Sequence, residues 1–153
     1  MLRSEKLVKS ITSIPDKSNA CIDRIVSKWK AMLQDQKGMK TLFFSDAGKH
    51  GSTTLGGSSA RRFSQKLESS LNPYIPLNKI NSILEGMLGP GHNKQIAILQ
   101  QQLVARAKCV IMTGWASFQL QTLRLHLHLN KGNKCYEVLD KDCMETTFNE
   151  VGL

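Results

Sequence analysis

Apolar residues along the chain change spacing several times, from steps of three or four to short unbroken runs, and the alternation predicts helices and buried strands in turn. Ile22, Ile25, Val26, Trp29, Met32 and Leu33 form one stripe, which predicts a helix over about 20–36. Ser18 or Asn19 is the expected cap, and Lys37-Gly38 ends the helix. Thr41-Leu42-Phe43-Phe44 is short, apolar and rich in strand formers, so it reads as a buried strand. A polar loop with four glycines fills 45–57, and a helix follows over roughly 59–70 with Ala60, Phe63 and Leu67 on one side. Pro73 and Pro76 mark a connection with room for a short strand between them. One or two helical turns fit 80–88, before Gly89-Pro90-Gly91 interrupts the chain. Ile96, Leu99, Leu103 and Ala107 then predict a helix over 93–108. Cys109-Val110-Ile111-Met112 reads as a second buried strand, 113–117 as a turn, and 134–139 as a last strand.

One stretch carries both signals. Leu123, Leu125, Leu127 and Leu129 alternate with Arg124, His126 and His128, which is a strand period. Its place between two strands argues for a crossover helix, and a helix is the expectation.

Strands alternating with helices predict an α/β fold: a Rossmann-like parallel sheet with helices on both faces, forming a single domain over 1–153. Ligands of such sheets sit at the carboxyl ends of strands. Three loops are expected to leave strand ends and converge: Arg3-Ser4-Glu5, 46–57 and 113–119.

A hydrophobic fraction of 41% is ordinary for a folded domain and excludes wholesale disorder. No apolar run reaches the length of a membrane span, and the first residues are charged, without the apolar stretch of a secretory signal. The net charge of +9 suits phosphate-bearing partners. Its lysines and arginines are scattered, however, and with two Trp and two Tyr there is little to stack bases on, so no nucleic-acid partner is expected. Arg61-Arg62 and the lysines over 28–40 read as solvated faces. Cys21 and Cys109 lie within apolar patterns and read as small core residues. Cys135 and Cys143 admit a local disulfide or free thiols.

The phosphate-loop motif is not met, because Gly48-Lys49 is followed by His50 and no glycine lies five positions earlier. Glycines and hydroxyls beside a strand end can still approach an anion closely, which makes Gly48 a candidate contact. Ser117 opens a helix after Gly114-Trp115-Ala116, either as a cap or with its amides turned to a phosphate. His126 and His128 with Cys135 and Cys143 match no common zinc spacing, and on a helix the two histidines point about 200° apart. No metal and no cofactor are expected.

Leu2-Arg3-Ser4-Glu5-Lys6, then Thr41-Leu42-Phe43-Phe44-Ser45-Asp46, then Ala107-Lys108-Cys109-Val110-Ile111-Met112-Thr113-Gly114-Trp115-Ala116-Ser117-Phe118 resemble, in that order, the C-terminal half of GDP-fucose-dependent fucosyltransferases. The protein O-fucosyltransferases and their α-1,6-fucosyltransferase relatives are the nearest in pattern. The resemblance implies the donor half of a GT-B glycosyltransferase, with the acceptor bound by a separate N-terminal domain, in the Golgi or ER lumen. It implies that Arg3 contacts the donor diphosphate as the catalytic cation, because a bidentate guanidinium stabilises charge growing on a leaving phosphate. Asp46 then closes the next strand on the donor, Ser117 meets phosphate, and Phe118 shapes the sugar or base pocket. The family's histidine falls on Met1, which implies a start within the first strand of the domain. The acidic residue that reads guanine falls on Gln100, whose amide cannot offer two carboxylate oxygens to the base. Guanine preference therefore stays open. So do two other readings, a remnant or interaction domain with the fold and no activity, and a basic nucleic-acid-binding module.

Overall fold

The computed structural model describes residues 14–36, 38–44, 57–75, 77–113, 117–131, 135–140 and 142–146. Helix α1 spans Pro15–Asp35, followed by strand β1 Thr41–Leu42, helix α2 Gly57–Ser70 and strand β2 Tyr74–Ile75. Helices α3 Leu77–Leu88 and α4 Asn93–Ala105 lead to strand β3 Val110–Thr113, helix α5 Ser117–Leu129 and strand β4 Tyr136–Leu139. The first helix starts earlier than its apolar stripe. Its flanking residue is Ile14, with no side-chain cap, and Pro15 holds the first turn, where its missing N–H costs no bond. Ser18 and Asn19 thus sit inside the helix, and Asn19 Oδ1 instead accepts a hydrogen bond from Lys66 Nζ on α2 at 2.6 Å.

The fold is mixed α/β, with its strands in two parallel pairs. β1 pairs with β2 through Thr41–Tyr74 and Leu42–Ile75. β3 pairs with β4 from Val110–Tyr136 to Thr113–Leu139. The single sheet expected from the pattern is thus divided into two sheets of two strands among the described residues.

Side chains along these strands alternate between two cores. One core packs Cys21, Ile22 and Ile25 of α1, Phe63 and Leu67 of α2 and Leu71 just after it against Phe43 and Leu139, with Ile111 and Tyr74 beside it. The other packs Ile80 and Leu84 of α3, Ile96 and Val104 of α4 and Leu123 of α5 against Phe44, Val110, Met112 and Val138. Residues of both strand pairs therefore contribute to each of the two helix-covered cores. Trp29 Nε1 donates to Thr41 Oγ1 at 2.8 Å, fixing α1 to the start of β1. Lys28 bridges Glu137 at 3.2 Å and Glu145 at 2.7 Å, fixing the same helix over β4.

Two disulfides close the structure, Cys21–Cys143 and Cys109–Cys135. They correct the local Cys135–Cys143 pairing, the free-thiol alternative and the reading of Cys21 and Cys109 as simple core residues. Both pairs are brought together by tertiary packing. Cys109 and Cys135 precede the paired strands β3 and β4, where Val110 N–H donates to the Cys135 carbonyl at 3.1 Å. Cys21, on α1, reaches Cys143 across 122 residues. Cys143 has a left-handed backbone, φ +62°, in a turn where Asp140 Oδ1 accepts from the amides of Asp142 and Met144, both at 2.8 Å. Paired cysteines of this kind are compatible with an extracellular or lumenal compartment. No helix among the described residues is long and apolar enough to cross a membrane.

Candidate functional site

Three residues separate the carboxyl end of β3 from the start of α5, the junction at which the sequence pattern expects a ligand. β3 is a buried strand because Val110 and Met112 fill one core while Ile111 faces the other. Its last residue, Thr113, is 2% exposed, and among the described residues its Oγ1 has no hydrogen-bond partner. Its carbonyl is engaged, accepting from Gln119 Nε2 on α5 at 3.1 Å. A buried hydroxyl without a partner costs roughly 1–3 kcal/mol, so such atoms are uncommon in folded proteins. A half-open cavity of about 380 Å³ between β1 and β3 has Thr113 in its lining.

The inward face of α5 is mostly polar. Gln119, Thr122 and His126 are buried with Leu123, at steps of three and four residues. The His126 ring hydrogen-bonds the Ala105 carbonyl through Nδ1 at 3.1 Å. A carbonyl only accepts, so Nδ1 carries the hydrogen and Nε2 is the bare nitrogen, unpartnered among the described residues. Asn130 Nδ2 donates to the same carbonyl at 3.1 Å and to the His126 carbonyl at 3.0 Å, locking the end of α5 to the end of α4. Burial holds the His126 pKa below the ordinary histidine value, partly opposed by the bond to Ala105. His126 therefore belongs to the α4–α5 junction. Cys135 and Cys143 are committed to separate disulfides, so neither is a free thiolate for a metal beside His126 or His128.

Of the residues proposed from sequence, Gln100 is the one whose side chain is described. It is half-buried on α4, and its Nε2 donates to Oδ1 of buried Asn81 on α3. Its amide thus ties two helices together. Ser117 is the first residue of α5 and Phe118 the second; their side chains lie outside the description. Arg3, Asp46 and Gly48 lie outside the described residues, and so does the expected convergence of the Arg3-Ser4-Glu5 and 46–57 loops on Ser117. Thr113 was not singled out from sequence. Its position at a strand end was legible, but its missing partner is visible only in three dimensions.

No protein-family model, curated protein or solved structure matches this chain.

Proposed function

We infer that this chain is the donor-binding α/β domain of a GDP-fucose-dependent, fucosyltransferase-like glycosyltransferase, with its diphosphate site at the β3–α5 junction. The observation that carries the reading is the Thr113 hydroxyl, buried and without a partner among the described residues, at the carboxyl end of a parallel strand that leads into a helix. In parallel α/β layers that position receives ligands. A helix start beside it offers N–H groups and a positive dipole end to a phosphate. Arg3 supplies the cation on the leaving diphosphate in this reading, with Asp46, Gly48, Ser117 and Phe118 around the donor. No metal is required, because arginine and helix amides carry the charge. The acceptor and the acid–base groups come from a separate N-terminal domain, so the chain alone binds donor without turning it over. Two disulfides support a Golgi or ER lumenal setting.

One observation favours a second reading, a domain with the fold and no activity: Gln100, the position expected to read guanine, is bonded to Asn81. Calorimetric titration with GDP, GDP-fucose and UDP separates the two. Donor binding predicts saturable heat with GDP and GDP-fucose, weaker heat with UDP, and affinity lowered roughly five- to tenfold by Thr113→Val, about one hydrogen bond. Arg3→Ala should lower it further. A folded chain that gives no heat at millimolar nucleotide supports the inactive domain instead.

A further inference from the structure

We propose that the cavity between β1 and β3 binds one fatty-acid carboxylate of medium chain length, with its chain against the apolar walls and its head group against the cations that precede the two strands.

This inference does not rest on the nucleotide reading. The cavity volume of about 380 Å³ falls within the range of small-molecule sites, roughly 300–1,000 Å³. Its walls are largely apolar: α1 contributes Ile25, Trp29, Met32 and Leu33, and α4 contributes Leu103 and Val104. Leu42 and Leu103 of this lining are 36% and 40% exposed, so apolar area remains there for a ligand to take out of water. Charge is distributed unevenly around these walls. Lys40 is the residue before β1, and Arg106 and Lys108 stand between α4 and β3. All three line the cavity and are exposed, and no carboxylate is among its described lining residues.

Two contacts with α1 place these cations at one end. Trp29 donates to Thr41, the first residue of β1. The adjacent Lys28 bridges Glu137, which is paired with Ile111 near the start of β3. Both strands therefore begin at the same level of α1, and the cations that precede them gather there. An apolar space bordered at one end by positive charge fits an amphiphile with a single chain and an anionic head. Arg106 selects a carboxylate. Its Nη1 donates to Gln102 Oε1, which engages one of the five N–H donors of a guanidinium, and that planar group pairs with a carboxylate through two parallel bonds. Because the three cations are exposed, the head group stays at the surface and keeps its hydration, and only the chain enters.

Calorimetric titration of the 153-residue chain with monomeric decanoate tests this. The expected result is saturable binding of one decanoate per chain. Decan-1-ol, which keeps the chain and lacks the charge, should bind roughly tenfold more weakly, the loss of one charged hydrogen bond. Lys40→Gln/Arg106→Gln should weaken decanoate by about the same factor. Both side chains are exposed, so this variant should keep the melting temperature of the parent. Ala107→Phe, which adds a ring at the lining, should abolish binding. A folded chain that gives no saturable heat with decanoate overturns the proposal, and so does equal affinity for decan-1-ol. Decanoate binding that either folded variant leaves unchanged overturns it as well. Tighter binding of decyl phosphate than of decanoate also does so, because the head group is then a phosphate ester.

Discussion

His126 has no exposed surface, one hydrogen-bonded nitrogen and one bare nitrogen, and its pKa is held down by burial. In the unfolded chain the same ring takes a proton near pH 6.5. The folded state resists that proton, so the unfolded state binds more protons as pH falls and folding loses free energy. The contribution is complete above about pH 6.5 and is lost as pH drops through the lower, folded pKa. Melting temperature should therefore be flat from about pH 8 to 7 and decline as pH falls below about 6.5. In His126→Gln, which keeps a donor for the Ala105 carbonyl, that decline should flatten; an unchanged profile would assign the loss to other groups. Thr113 belongs to the same scale. Its hydroxyl has no structural partner among the described residues, so Thr113→Val, nearly isosteric, should leave the melting temperature unchanged or raise it. A fall of several degrees would mean that the hydroxyl is a structural bond donor and would remove it from the site.

Among the elements, α5 shows where pattern and packing diverge. Its leucines alternate, a strand period, yet the segment is a helix because its buried face is Gln119, Thr122, Leu123 and His126. Hydropathy is blind to that face, since three of its four members are polar and satisfied mainly by contacts with neighbouring elements. Leu129, by contrast, is 43% exposed. The helices with apolar stripes were legible to within a few residues: α1 begins at Pro15 rather than near 20, and α4 ends at Ala105 rather than 108. β1 was legible as a strand, but only Thr41 and Leu42 are laddered, while Phe43 and Phe44 continue into the two cores. Disulfide pairing was not legible, because proximity in sequence favours Cys135 with Cys143 while packing brings Cys21 to Cys143. In the chain-entropy picture, closing loops of 122 and 26 residues stabilises the fold by about 5 and about 3.5 kcal/mol respectively. Urea unfolding of Cys21→Ala/Cys143→Ala and of Cys109→Ala/Cys135→Ala should show losses in that order. The reverse order would mean that the contacts around α1 and β4 hold without their covalent tie.

At the scale of the molecule, strand–helix alternation was enough to predict an α/β fold with parallel strands, and the structure is mixed α/β with its described strands in two parallel pairs. It could not show that the described strands form two sheets rather than one, since no pattern within a strand reports which strand lies beside it. The candidate site was legible only in outline. The end of β3 and the start of α5 were expected at a ligand; the structure leaves the buried Thr113 hydroxyl without a partner among the described residues and bonds Gln100 to Asn81. The net charge of +9 is compatible with a diphosphate ligand without selecting one. The most direct test of the site is residue-resolved amide exchange with and without saturating GDP. A diphosphate held at the β3–α5 junction should slow exchange at Thr113 and over the first turn of α5, residues 117–120, leaving α2 and the middle of α3 unchanged. No slowing at 113–120, or slowing confined to another part of the chain, would contradict the assignment.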